Sequence, residues 1–130
     1  MDTTAAHILI VDDEQSLLKL LSVYLHRMGF TVTTAQSTEQ AWACVEENPA
    51  AFAVAVVDAT MPGLRAEDLA LRMLHSNPTL CVLVASGYPV DISAVERAAP
   101  GRASFLHKPF TPEMLAAAVR RMLARKEKNI

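Results

Sequence analysis

Residues 50–63 read AAFAVAVVDATMPG: eight apolar residues from Ala50 to Val57, then Asp58-Ala59-Thr60-Met61-Pro62-Gly63. A short apolar run closed by a Pro-Gly turn signal predicts a buried strand over roughly Ala53 to Val57 that stops at Asp58. A carboxylate just past the end of a buried parallel strand stands at the mouth of the sheet, where open α/β folds hold their ligands. Aspartate also caps turns for purely local reasons. On this segment alone both readings stand.

Working outward, the same grammar repeats. His7 to Val11 (HILIV) is a second apolar run, followed at once by Asp12-Asp13-Glu14. Leu17, Leu18, Leu21, Tyr24, Leu25 and Met28 then recur at helical spacing, with Gly29 as the stop. Thr31 to Ala35 (TVTTA) is a more polar, β-branched strand, and Ser37 with Gln40 forms a capping box for a helix carrying Ala41, Cys44 and Val45. Asn48-Pro49 ends that helix and the Asp58 strand follows.

Beyond Gly63, Ala66, Leu69, Ala70 and Met73 share a helical face closed by Asn77-Pro78. Leu80 to Ala85 is a fully apolar strand ending at Ser86-Gly87. A short helix from about Asp91 to Ala99 stops at Pro100-Gly101, and Ser104 to His107 is a brief strand before Lys108-Pro109-Phe110. Thr111 caps a last helix with Pro112 in its first turn and Leu115, Ala118, Val119 and Met122 facing inward.

Strict strand–helix alternation implies an α/β fold: a (βα)5 doubly wound parallel sheet with helices on both faces. Strands buried on both faces read as continuous apolar runs. The first, third and fourth do, while the second and fifth are shorter or more polar and belong at the edges. The strand order 2-1-3-4-5 satisfies that pattern.

At 130 residues the chain has the size of one domain with a real core, and 52% hydrophobic residues exclude disorder. No apolar run reaches the length of a membrane span, and Met1-Asp2-Thr3-Thr4 lacks the basic start of a signal peptide. A cytoplasmic protein is expected, with no membrane partner. Cys44 and Cys81 read as small buried residues rather than a disulfide. A net charge of -2 gives no footprint for nucleic acid, and the basic end with Arg120, Arg121, Arg125, Lys126 and Lys128 reads as a solvated helix terminus complementing the macrodipole.

In a parallel sheet every strand's carboxyl end opens on one edge, so Asp12, Asp13, Asp58, Ser86 and Lys108 converge. Three carboxylates about 5 Å apart repel by roughly 3 kcal/mol per pair at an effective dielectric of about 20. Lys108 supplies one offsetting charge, and an oxygen-ligated Mg²⁺ would supply more. Zinc is disfavoured: only His107 stands near these ends, and it reads as a solvated side chain. A metal beside Asp58 points to phosphoryl transfer with Asp58 as nucleophile, Lys108 and the metal neutralising charge on the transferred group, and Ser86 placed to hydrogen-bond one of its oxygens.

With those residues assembled, the chain resembles a response-regulator receiver domain of two-component phosphorelay signalling over essentially its whole length. The motifs are the acidic pair after strand one, Asp-x-x-Met-Pro-Gly, Ser-Gly after strand four and Lys-Pro-Phe after strand five. The resemblance implies a CheY-like single receiver domain over residues 1–130, expected without an output domain, that acts as a phosphoacceptor and not as an enzyme on other substrates. It implies Asp58 as phosphoacceptor, and a Mg²⁺ site of Asp13, Asp58 and the Thr60 carbonyl with Asp12 acting directly or through water. Ser86 resembles the hydroxyl switch, Lys108 the lysine that pairs with the phosphoryl group, and Phe105 the aromatic switch, working here by packing because it lacks a hydroxyl. Thr60 and Tyr88 fall where receivers tune hydrolysis: Thr60 has little reach to hold a water, and Tyr88 has the bulk to exclude one.

Implied partners are a sensor histidine kinase or histidine phosphotransfer protein, a downstream protein target, and a second copy through the fourth helix, fifth strand and fifth helix; direct nucleic-acid contact is not expected. Three rivals share features of this pattern. A haloacid-type phosphohydrolase needs a second Asp where Thr60 stands, and an FMN carrier needs a phosphate-cradling first loop where Asp12-Asp13-Glu14-Gln15 stands. A docking module that is never phosphorylated would not need the intact Asp, Ser and Lys set.

Overall fold

The computed structural model describes residues 6–128, with side chains described as far as position 125. The N-terminal Met1-Asp2-Thr3-Thr4 and the side chains of Lys126 and Lys128 lie outside the described residues. Strands and helices alternate as β1 (His7–Val11), α1 (Gln15–Arg27), β2 (Thr31–Ala35), α2 (Thr38–Glu47), β3 (Val54–Asp58), α3 (Ala66–Ser76), β4 (Cys81–Ser86), α4 (Ser93–Ala98), β5 (Ala103–His107) and α5 (Pro112–Lys128). All four strand pairings are parallel and the sheet order is β2-β1-β3-β4-β5. The expected order is observed.

The period-two alternation of the strands divides the interior into two cores. Leu9, Val11, Ala55, Val57, Val82 and Val84 face one side, packing with Ala41 and Val45 of α2, Leu69 and Met73 of α3, and Val95 of α4. Ile8, Ile10, Val54, Val56, Cys81 and Leu83 face the other, against Leu18, Leu21 and Leu25 of α1 and Leu115, Val119 and Met122 of α5. Burying each such side chain fully is worth about 1.5–3 kcal/mol, which is why β3 and β4 carry no polar residue before their last position and β1 carries none after His7. Cys44 is half-buried, Cys81 is buried, and neither forms a disulfide.

Element ends differ from the sequence expectation in an informative way. Asp58 and Ser86 are the last residues of β3 and β4 rather than the first residues beyond them, because the ladder continues through the pairs Asp58↔Ala85 and Ser86↔His107. Polarity marks where the core stops, and backbone pairing runs one residue further. The Ser37 hydroxyl caps α2 through the Gln40 N–H at 3.1 Å, but the return arm of the box, Gln40 Oε1, accepts from Gln36 N at 2.8 Å rather than from the capping residue. α4 is only six residues long, and Asp91, just ahead of it, accepts from both the backbone and the hydroxyl of Ser93.

One junction was invisible in the sequence. Arg102, in the turn before β5, donates to the carbonyls of Leu80 (2.8 Å), Leu74 (3.1 Å) and Asn77 (2.5 Å). Asn77 is itself buried and donates to the Phe52 carbonyl at 3.2 Å. This cluster ties the end of α3 to the start of β4, at the sheet edge opposite the carboxylates.

Candidate functional site

Backbone bonds between strand ends set the site's frame. Asp12 N donates to Ala35 O (3.1 Å), Ala59 N to Ala85 O (2.8 Å) and Lys108 N to Ser86 O (2.7 Å). Asp12, Asp58 and Lys108 are therefore launched from backbone that is paired to the neighbouring strand. The β3–α3 loop is held in turn by α2: Leu64 N donates to the buried Thr38 Oγ1 at 3.2 Å. Gly63 lies there at φ +97°, and a Cβ on it would come 2.9 Å from Thr38 Oγ1. That position requires glycine both for its backbone and for its space.

Asp12, Asp13 and Asp58 each bring a carboxylate oxygen within 4.8 Å of the others. Asp12 and Asp58 are 5% and 3% exposed, while Asp13 is open to solvent. The Lys108 ammonium spans the first and third, 2.9 Å from Asp12 Oδ2 and 3.4 Å from Asp58 Oδ2. Burial alone would pull the lysine's pKa down; the hydrogen bond and charge of Asp12, with Asp58 behind it, outweigh that and raise it above the usual value. Three carboxylates against one ammonium leave an excess of two negative charges, held by oxygen donors. That donor set fits a hard divalent cation such as Mg²⁺.

Ser86 is completely buried, and its Oγ accepts from Tyr88 N at 3.2 Å. Tyr88 itself is 60% exposed, so its ring is not held over Asp58 by packing. Phe105 is half-buried on β5, in register with Val84, and meets His107 edge-to-face at 6.3 Å between ring centroids. His107 is exposed, as its position on an edge strand led one to expect. A cavity of about 450 Å³ opens beside the cluster, lined by Glu14, Leu17, Gly87, Lys108, Pro109 and Phe110.

The structure thus gathers Asp12, Asp13, Asp58 and Lys108 into one contact group, with Thr60 bonded to Asp58 and Ser86 ending the adjoining strand. Sequence reasoning missed what Thr60 does to Asp58. Its N–H and its hydroxyl both donate to Asp58 Oδ1, at 3.0 and 2.8 Å. The signal was present, since an Asp followed two residues later by Thr is the pattern of a side-chain-closed turn.

Residues 8–120 match the response regulator receiver domain family. The transcriptional regulatory protein FixJ of Bradyrhizobium diazoefficiens is 32% identical over 90% of this chain and 56% of its own length. The DNA-binding response regulator MtrA of Mycolicibacterium smegmatis is 30% identical over 98% of this chain and 54% of its own. Among solved structures, a response regulator receiver domain protein from Clostridium thermocellum superposes with a TM-score of 0.81 at 28% identity, covering 96% of this chain and 99% of that one. The chain spans about half the length of those two regulators. MtrA is described as DNA-binding, so the expectation of no nucleic-acid contact finds no support among relatives. No described helix is long and apolar enough to cross a membrane.

Proposed function

The chain belongs to the response regulator receiver domain family, and on that premise we propose that it accepts a phosphoryl group on Asp58 from a phosphohistidine donor and converts it into a change of docking surface. The observation that carries this reading is the Lys108 bridge to Asp12 and Asp58, a fixed cation beside a buried carboxylate at the mouth of the sheet. Asp58 Oδ2, which faces the lysine, attacks phosphorus. The O–P bond forms as the donor's N–P bond breaks, and its electron pair stays on the imidazole nitrogen. Lys108 then pairs with the phosphoryl oxygens, and Ser86 donates its hydroxyl to one of them.

Asp13, Asp58 and the Thr60 carbonyl would hold Mg²⁺, with Asp12 directly or through water, and the ion would neutralise charge on the phosphoryl oxygens. Tyr88 and Thr60 flank the approach of hydrolytic water. Phe105 is the packing element that follows Ser86 and alters the surface of α4, β5 and α5, where a target protein or a second copy docks. A sensor histidine kinase or histidine phosphotransfer protein is the matching donor, meeting this chain in the cytoplasm. Thr60 in place of a second aspartate argues against a haloacid-type hydrolase.

Acetyl phosphate or phosphoramidate with Mg²⁺ should add one acid-labile phosphoryl group, read by intact mass, and Asp58→Asn should abolish it. Equal labelling of the variant would remove Asp58 from the role. A parent that takes no label under any donor would leave the unphosphorylated docking module as the better account.

A further inference from the structure

In the structure both oxygens of Asp58 are already engaged. Oδ2 faces the Lys108 ammonium at 3.4 Å. Oδ1 accepts two donors from one residue, Thr60 N at 3.0 Å and Thr60 Oγ1 at 2.8 Å. A carboxylate oxygen offers about two lone-pair directions, so Thr60 fills both of those on Oδ1. The receiver reading, on which this inference rests, gives the two oxygens different work: the one beside Lys108 bonds phosphorus, which leaves Oδ1 for the metal.

We infer that the Thr60 hydroxyl is an internal competitor of the metal ion at Asp58 Oδ1 and raises the Mg²⁺ concentration the site requires. Of the two donors on that oxygen, the N–H is fixed by the backbone that follows β3. The hydroxyl is carried on a single rotatable bond by a solvent-exposed residue, so it is the donor that can yield. Metal entry then exchanges a short charge-assisted hydrogen bond for a bond from threonine to water, a cost that a residue without a hydroxyl does not incur. Thr60 therefore acts on the metal through Asp58 as a positioning residue, separate from any ligation by its own carbonyl, which every substitution at this position retains.

The test is calorimetric titration of the whole chain with MgCl₂ alone, in the parent, Thr60→Ala and Thr60→Ser. Alanine removes the hydroxyl without adding bulk, and should lower the Mg²⁺ dissociation constant about fivefold; serine keeps the hydroxyl and should stay within about twofold of the parent. Adding Asp13→Asn to Thr60→Ala should erase the gain, which locates it at the acidic cluster. A parent that binds and a Thr60→Ala variant that binds no tighter would overturn the competition while leaving the receiver reading intact. Serine as tight as alanine would overturn it equally, since the hydroxyl would then be irrelevant. Absence of binding in both parent and Thr60→Ala would overturn the competition together with the proposed metal site.

Discussion

Asp12 and Lys108, 96 residues apart in the chain, meet at 2.9 Å in the shortest ion pair among the described residues. The pair joins the end of β1 to the end of β5 across the ends of β3 and β4, and it is the only cationic compensation the described side chains give the carboxylate cluster. What happens when either side of that balance is changed can be stated in advance.

Removing the cation should be costly. Lys108→Ala leaves the buried Asp12 and Asp58 with their hydrogen bonds but without a counter-charge, and stability in the absence of divalent ions should drop by about 2 kcal/mol, less than for a fully buried pair because the lysine is partly exposed. The lysine's raised pKa means its contribution is fully present below its unfolded value and is lost only as pH rises through the higher folded value. The parent should therefore show a loss of stability at strongly alkaline pH that the variant lacks. Denaturant titrations across that range give the answer, and superimposable alkaline limbs would contradict the pairing.

Relieving the repulsion should do the opposite. Asp13 is the solvent-exposed member of the cluster, so Asp13→Ala removes charge without opening a cavity. Its melting temperature without Mg²⁺ should rise by about 3 °C, and the stabilisation that Mg²⁺ gives the parent should vanish. A lower melting temperature in the ion-free variant would mean that Asp13 is a structural residue.

His7 gives the fold an acid sensitivity far from the site. Its Nε2 lies 2.6 Å from Thr33 Oγ1 and its ring stands 4.6 Å from that of Phe52, and burial lowers its pKa. The folded chain therefore binds a proton less readily than the unfolded one. The stability contributed by neutral His7 is present above the unfolded value of about 6.5 and is lost as pH falls through the lower folded value. Melting curves from pH 7 to pH 5 should show the parent losing more stability than His7→Gln; parallel curves would show that His7 does not titrate differently on folding.

The Arg102 junction should matter more than its half-exposed position suggests. One guanidinium satisfies three carbonyls at the α3–β4 corner, and Arg102→Ala should cost on the order of 2 kcal/mol. Lysine should recover only a small part, because one ammonium does not reproduce a planar fork. Full rescue by Arg102→Lys in urea unfolding would mean that charge, not geometry, is what the corner needs.

The switch can be read without a kinase. Beryllofluoride with Mg²⁺ should draw the Ser86 hydroxyl toward the mimic and open space for Phe105, so amide shifts should extend from the strand ends into residues 91–107. The loop that would carry the change, Gly87-Tyr88-Pro89, places a glycine with open space where a Cβ would stand next to a proline-restricted tyrosine. Rearrangement should thus be local. Shifts confined to Asp12, Asp13, Asp58 and Lys108 would remove Phe105 from the mechanism.

Much of this molecule is written in one-dimensional pattern. The runs HILIV, AVAVV and LCVLVA declare central strands because only residues buried on both faces dispense with polar alternation, and TVTTA declares an edge for the converse reason. Once the sheet is parallel, topology alone sends Asp12, Asp13, Asp58, Ser86 and Lys108 to one edge, so the membership of the cluster was legible before any coordinate. Its internal wiring was not. Which carboxylate the ammonium prefers, which oxygen of Asp58 the Thr60 hydroxyl closes, and which carbonyls Arg102 collects all depend on rotamers and on separations of a few tenths of an ångström. Those are settled by packing between segments far apart in the chain, and periodicity carries no record of them.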